Sequence, residues 1–155
     1  MIYKSRRVGQ GGKEFTLYKL KTMIDSPGSS SSGDDDPRIT RLGRILRKTH
    51  LDELPQIYNV IRGDMNLIGW RPEDPRYLNT IPPEVLATKP GLIGWATLLD
   101  IDEGKALKGS TDPDRDYEKK ILPKKRKDEV YYVRNRNWKL DLKIVFLTLW
   151  KIIKH

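Results

Sequence analysis

Cysteine is absent from the 155 residues. Disulfides, thiolate nucleophiles and Cys-ligated zinc are therefore excluded, and a reducing compartment fits. Histidine is almost as scarce, with only His50 and His155, so neither a His-rich metal site nor a Ser-His-Asp triad is expected. The longest apolar run, within Leu140–Ile153, is broken by charges and is too short to span the ~30 Å of a bilayer's hydrocarbon. The N-terminus is a polar, strand-like segment without the apolar core of a signal peptide. No internal repeat is visible.

What is abundant is positive charge. Thirty Lys and Arg against 21 Asp and Glu leave a net charge of +9. Such a surface attracts anions, whether nucleic acid, phosphorylated metabolites or an acidic membrane face. Apolar content of 37% beside 33% charged residues is ordinary for a soluble domain. The length suits a single domain over residues 1–155.

Alternation places strands at Ile2–Val8 and Phe15–Met23 around a Gly-rich turn, a hairpin. Asp25–Asp36 reads as a flexible polar loop. Asp36 and Pro37 have the chemistry of an N-cap and first helical residue, predicting a helix from Pro37 to about Lys48. Its Ile39, Leu42, Ile45 and Leu46 share one arc; Arg41, Arg44, Arg47 and Lys48 share the opposite one. A second helix is predicted over Asp52–Ile61, closed by Gly63. Five prolines make Trp70–Gly94 mostly irregular, with a short helix at Glu84–Thr88. Further helices are predicted at Asp114–Ile121 and Leu140–Lys154, the last with a broad apolar face that includes Ile152 and Ile153. The fold class is α+β, a mainly α-helical single domain with a small N-terminal β-hairpin and a C-terminal amphipathic helix.

The chemistry concentrates around Asp52-Glu53. On a helix, adjacent side chains diverge by about 100°, which suits one carboxylate for phosphorus and one for a cation. The plain alternative is acidic decoration of a helix N-terminus, where the dipole favours it. The arginines of the preceding helix read either as solvated surface or as a phosphate-binding face, since guanidinium matches phosphate oxygens bidentately. Gly69-Trp70-Arg71-Pro72 is a tight turn presenting one Arg. His50 reads as a neighbour of the site and Lys119–Lys127 as a surface or membrane-facing patch. The C-terminal helix suits either the core or a bilayer's headgroup boundary.

Several blocks, in order, resemble the bacterial sugar transferases, the monotopic phosphoglycosyl transferases that begin glycoconjugate assembly. They are KEFTLYKLKTM at 13–23, DPRITRLGRILRKTHLDELPQIYNVIRGDMNLIGWRPE at 36–73, KPGLIGWA at 89–96 and YYVRNRNWKLDLKI at 131–144. The resemblance implies transfer of a sugar phosphate from a UDP-sugar to a polyprenyl phosphate, releasing UMP. On the family pattern Asp52 is the nucleophile, forming an aspartyl-phosphosugar intermediate. Glu53 helps to hold Mg²⁺ at the diphosphate. Arg71 and Pro72 shape the substrate site, and Arg41, Arg44, Arg47 and Lys21 complete the expected substrate-binding set. The resemblance also implies work at the cytoplasmic face of the inner membrane, against an anionic surface.

Three departures accompany it. Relatives carry a hydrophobic re-entrant helix before the hairpin, whereas this sequence begins Met1-Ile2-Tyr3. The expectation is a form without its own anchor, either truncated or engineered to be soluble, or meeting the membrane elsewhere. Trp70 stands where Pro is usual. A Gly-Arg-Asn segment that contacts phosphate is replaced by TLLDIDEGKALKGSTDPD at 97–114. Two alternatives remain beside the enzyme. One is an inactive membrane-associated scaffold. The other is a nucleic-acid-binding helix-turn-helix, disfavoured because Asp52 and Glu53 would repel the DNA backbone.

Overall fold

The computed structural model describes residues 1–28, 31–95, 98 and 103–154. The predicted hairpin is present: β1 (Ile2–Val8) pairs antiparallel with β2 (Glu14–Leu20), in register from Ile2 opposite Leu20 to Val8 opposite Glu14. Gly11 and Gly12 turn the chain at φ 67° and 78°, conformations that β-carbons disfavour. The chain leaves the sheet earlier than expected, and Met23 instead bridges Ile39.

Helix α1 spans Arg41–Lys48, starting four residues after Pro37. Thr40 is its cap, its side chain accepting from the Gly43 amide at 2.9 Å, a bond that satisfies one orphan donor. Asp36 is occupied otherwise, accepting from the backbone and guanidinium of Arg38. Gly43 packs on the backbone of Thr22, where any β-carbon would meet the Thr22 carbonyl. That contact turns α1 partly away from its apolar pattern, with Ile39 still buried, Leu46 half-buried and Arg41 and Arg44 exposed. Leu42 and Ile45 are exposed, and Arg47 points inward.

The predicted second helix is divided. Leu51–Glu53 forms a single 3-10 turn, and α2 (Gln56–Arg62) starts only after Pro55. Next come β3 (Asn66–Ile68), a 3-10 segment at Pro75–Thr80, α3 (Pro83–Leu86) and β4 (Gly91–Ile93). β3 and β4 pair in parallel, a second sheet within a stretch expected to be irregular. Trp70 extends that pairing through a bridge to Pro90 and buries its ring in the core, its indole N–H donating to the Thr88 carbonyl at 3.1 Å. Trp70 is therefore a core residue, with Val8, Ile81 and Val85 around it.

After α4 (Glu103–Ala106) and α5 (Pro113–Asp116), a π-helical turn at Tyr117–Ile121 leads into α6 (Leu122–Asn135). Of the basic stretch, Lys119, Lys120, Lys124 and Lys127 are exposed as expected, whereas Lys125 and Arg126 are buried. Glu73 Oε2 accepts from Lys125 Nζ at 2.8 Å, Tyr117 OH at 2.9 Å and Arg126 Nη2 at 3.1 Å, and Arg126 also reaches Glu129. The final helix, α7 (Trp138–Lys154), buries Ile144 but exposes Leu142, Phe146, Leu149 and Trp150. A core role for its apolar face is thus excluded over these residues. The side chains of Ile152 and Ile153 lie outside the described residues, as do residues 97 and 99–102 of the departing segment.

Candidate active site

The turn carrying Asp52 begins at His50, whose φ of 56° makes it the one non-glycine with a positive φ among the described residues. That left-handed residue ends α1 and redirects the chain, so that Asp52 is only 8% exposed. A single 3-10 turn precedes a seven-residue helix here. Side-chain cations therefore dominate the electrostatics, in place of the helix dipole expected from the sequence.

The two carboxylates are held differently. Glu53 Oε1 accepts from Lys19 Nζ at 3.0 Å and from Arg71 Nη2 at 2.8 Å. Burial opposes ionisation of Glu53, but Arg71 and Lys19 outweigh it and keep the carboxyl well below the usual range. Asp52 carries no hydrogen bond or ion pair among the described residues. Burial pushes its carboxyl above the ordinary range, while Lys19, Arg71 and Arg47 pull against that and Glu53 adds to it. One carboxylate is committed and the other is open.

Arg47 supplies a second feature. Its guanidinium donates to Thr22 Oγ1, Ser32 Oγ and Met23 Sδ, each at 3.0 Å, all neutral acceptors. Burial lowers its pKa against the charges of Asp52, Asp36 and Asp34, yet a guanidinium keeps its proton at neutral pH. Its positive charge therefore faces the cavity without a carboxylate bonded to it.

These groups line one cleft of about 1030 Å³, large for a small-molecule site. Asp52, Glu53, Arg47, Arg71, Pro72 and Lys21 of the expected set all border it. Lys21 also pairs with Asp25. Arg41 and Arg44 are exposed on α1 and are not among the lining residues. His50 borders the cleft with its pKa lowered, chiefly by burial. A smaller hollow of about 380 Å³, bounded by Pro27, Asp35, Pro37 and Ser110, lies away from both carboxylates.

Lys19 was not singled out from the sequence, although a signal existed. Strand alternation puts Leu17, Lys19 and Lys21 on one face of the hairpin and its extension, and all three border the cleft. Glu73, Tyr117 and Lys125 also line it. Only the tertiary fold brings these three together. The loop expected to be flexible contributes fixed contacts too, with the Ser31 amide donating to Asp114 Oδ1 at 2.8 Å.

The donor set fits a magnesium ion. Both ion pairs of Glu53 use Oε1, which leaves Oε2 and the Asp52 carboxylate as hard oxygen donors. Mg²⁺ commonly takes one or two carboxylates and completes its shell with substrate phosphates and water. Among the described residues no cluster of three His, Asp or Glu is present, so such an ion would arrive with a diphosphate.

An open carboxylate and several cations thus border one large cleft. The model of the bacterial sugar transferase family matches residues 1–155, and the chain belongs to that family. It is 35% identical over 167 residues to the UDP-N-acetylgalactosamine-undecaprenyl-phosphate N-acetylgalactosaminephosphotransferase of Aeromonas hydrophila, covering 99% of this chain and 35% of that protein. It is 38% identical over 157 residues to the uncharacterized sugar transferase EpsL of Bacillus subtilis, covering 99% and 70%. A UDP-glucose:undecaprenyl-phosphate glucose-1-phosphate transferase of Escherichia coli is 33% identical over 160 residues, covering 97% and 32%. The chain thus spans about a third of the first and third of these relatives.

Proposed function

We propose that this chain transfers a sugar phosphate from a UDP-sugar to a polyprenyl phosphate. The observation that carries the reading is the contrast between open Asp52 and doubly held Glu53 in one cation-lined cleft. In the first half-reaction an Asp52 oxygen attacks the phosphorus that bears the sugar. The bond from that phosphorus to the bridging oxygen breaks, and UMP departs with the electron pair. In the second, an oxygen of the acceptor phosphate attacks the same phosphorus, and Asp52 leaves as carboxylate.

An ionised carboxylate needs no general base, consistent with a site whose one His is kept neutral by burial. Arg47 and Arg71 orient the diphosphate and stabilise its equatorial oxygens. Mg²⁺ held by Glu53 would offset charge on the diphosphate and the leaving UMP. Lys19 and Arg71 together fix the rotamer of Glu53 beside the nucleophile.

The reaction joins a soluble nucleotide to a lipid, and we extend the proposal to attachment at the anionic cytoplasmic membrane surface. Among the described residues no helix is long and apolar enough to cross a membrane. Exposed Leu42 and Ile45 share α1 with exposed Arg41 and Arg44, and exposed Leu142 and Phe146 share α7 with exposed Lys139 and Lys143, the composition of interfacial helices.

Intact-protein mass spectrometry tests the chemistry. Wild type incubated with a panel of UDP-sugars and Mg²⁺, without acceptor, is expected to gain one phosphosugar mass and release UMP. Asp52→Asn is expected to gain none. An adduct on Asp52→Asn, or none on wild type with any donor, would refute the proposal.

A further inference from the structure

We propose that Lys151, on α7, receives the phosphate of the prenyl acceptor in the cleft that also holds Asp52 and Glu53. The inference rests on the transfer reading above and adds to it where the second substrate binds.

Lys151 is half-buried and borders the same cleft as Asp52, Glu53 and Arg71. Its charge is felt by His50, which places it near the turn that carries the carboxylates. The chain neighbours of Lys151 and of the two carboxylates include large apolar residues open to solvent. Trp150, adjoining Lys151, is 43% exposed, and Leu51 and Leu54, flanking Asp52 and Glu53, are 44% and 52% exposed. The lining itself mixes charged and polar Asp25, Ser31 and Asp34 with apolar Leu20, Met23 and Ile24. A nucleotide sugar has no use for these exposed apolar side chains. An amphiphile with one anionic head does, because a lysine can bury its methylene stem against apolar groups while its ammonium faces the charge. Bringing a phosphate beside Asp52, Glu53 and a phosphosugar accumulates negative charge. A cation at that point offsets the repulsion as the new P–O bond forms and the Asp52–phosphorus bond breaks.

Equilibrium binding to the full chain distinguishes the two substrates. The probes are UMP, a short-chain prenyl monophosphate below its micelle concentration, and the corresponding prenyl alcohol. Wild type is expected to bind the monophosphate more tightly than the alcohol. Lys151→Gln is expected to weaken the monophosphate by about tenfold, the scale of a lost charged hydrogen bond. UMP binding should stay within about twofold, and Lys151→Arg should restore the loss. Equal loss of UMP binding, or unchanged monophosphate binding, overturns the proposal. So does a wild type that binds UMP but does not prefer the monophosphate, a result that leaves the transfer reading intact. A wild type that binds neither UMP nor monophosphate defeats both.

Discussion

Arg71 donates through Nη2 to Glu53 Oε1 at 2.8 Å, joining the loop after β3 to the turn before α2. The bond makes Glu53 a structural anchor as well as the expected metal ligand. Glu53→Gln leaves Arg71 and Lys19 facing a neutral amide and should lower thermal stability by about 1–3 kcal/mol. Adduct formation should fall about 10–100-fold and lose much of its Mg²⁺ dependence. Calorimetry and a metal titration of adduct formation read the two effects separately.

Asp52→Asn should abolish turnover, by ~10⁴-fold or more, without lowering the melting temperature. Burial raises the folded-state pKa of Asp52, so ionisation costs folding free energy above that pKa. Replacing the charge removes that cost. A large drop in melting temperature would show that Asp52 is a structural residue.

Arg47 and the outer arginines should separate. Arg47→Ala removes a cation bordering the cleft and should weaken UDP-sugar binding about tenfold or more. Arg41→Ser and Arg44→Ser, on exposed positions, should leave that binding within about twofold. Each should lower affinity for anionic vesicles, by ~1 kcal/mol per charge removed. Nucleotide titration and vesicle sedimentation measure the two properties independently.

The buried Glu73 network predicts a pH effect. Burial opposes ionisation of Glu73, but Lys125, Arg126 and Tyr117 hold its pKa at about 2. Because the folded value lies below the unfolded one, this stabilisation is complete above about pH 4.5 and is lost as pH falls towards about 2. Glu73→Gln should cost about 3 kcal/mol at neutral pH and flatten the stability profile over that acid window. Denaturant unfolding between pH 2 and 7 would reveal the change of slope.

Local patterns were the legible part of the sequence. Alternation located the hairpin, and the basic stretch located α1, because both signals lie within a few residues. The facing of α1 was not legible. It depends on Gly43 meeting Thr22 and on Arg47 finding Thr22, Met23 and Ser32, all distant in sequence. The three-residue strands β3 and β4 are too short for a periodic signal among prolines. Asp52 and Glu53 were recognisable from the family pattern, but their different partners were not, because Lys19 and Arg71 arrive from separate loops and strands. Lys125 and Arg126 looked like surface charge because their partner Glu73 is about fifty positions away.

The outward-facing Leu42, Ile45, Ile61 and Phe146, each at least 60% exposed, also govern how the protein behaves in the tube. In plain buffer these side chains have only water or one another to meet, so concentrated samples should self-associate, and more strongly as salt screens the repulsion of a +9 chain. A mild detergent should reverse this by covering the same side chains. Apparent specific activity will then depend on protein concentration and detergent as well as on the active site.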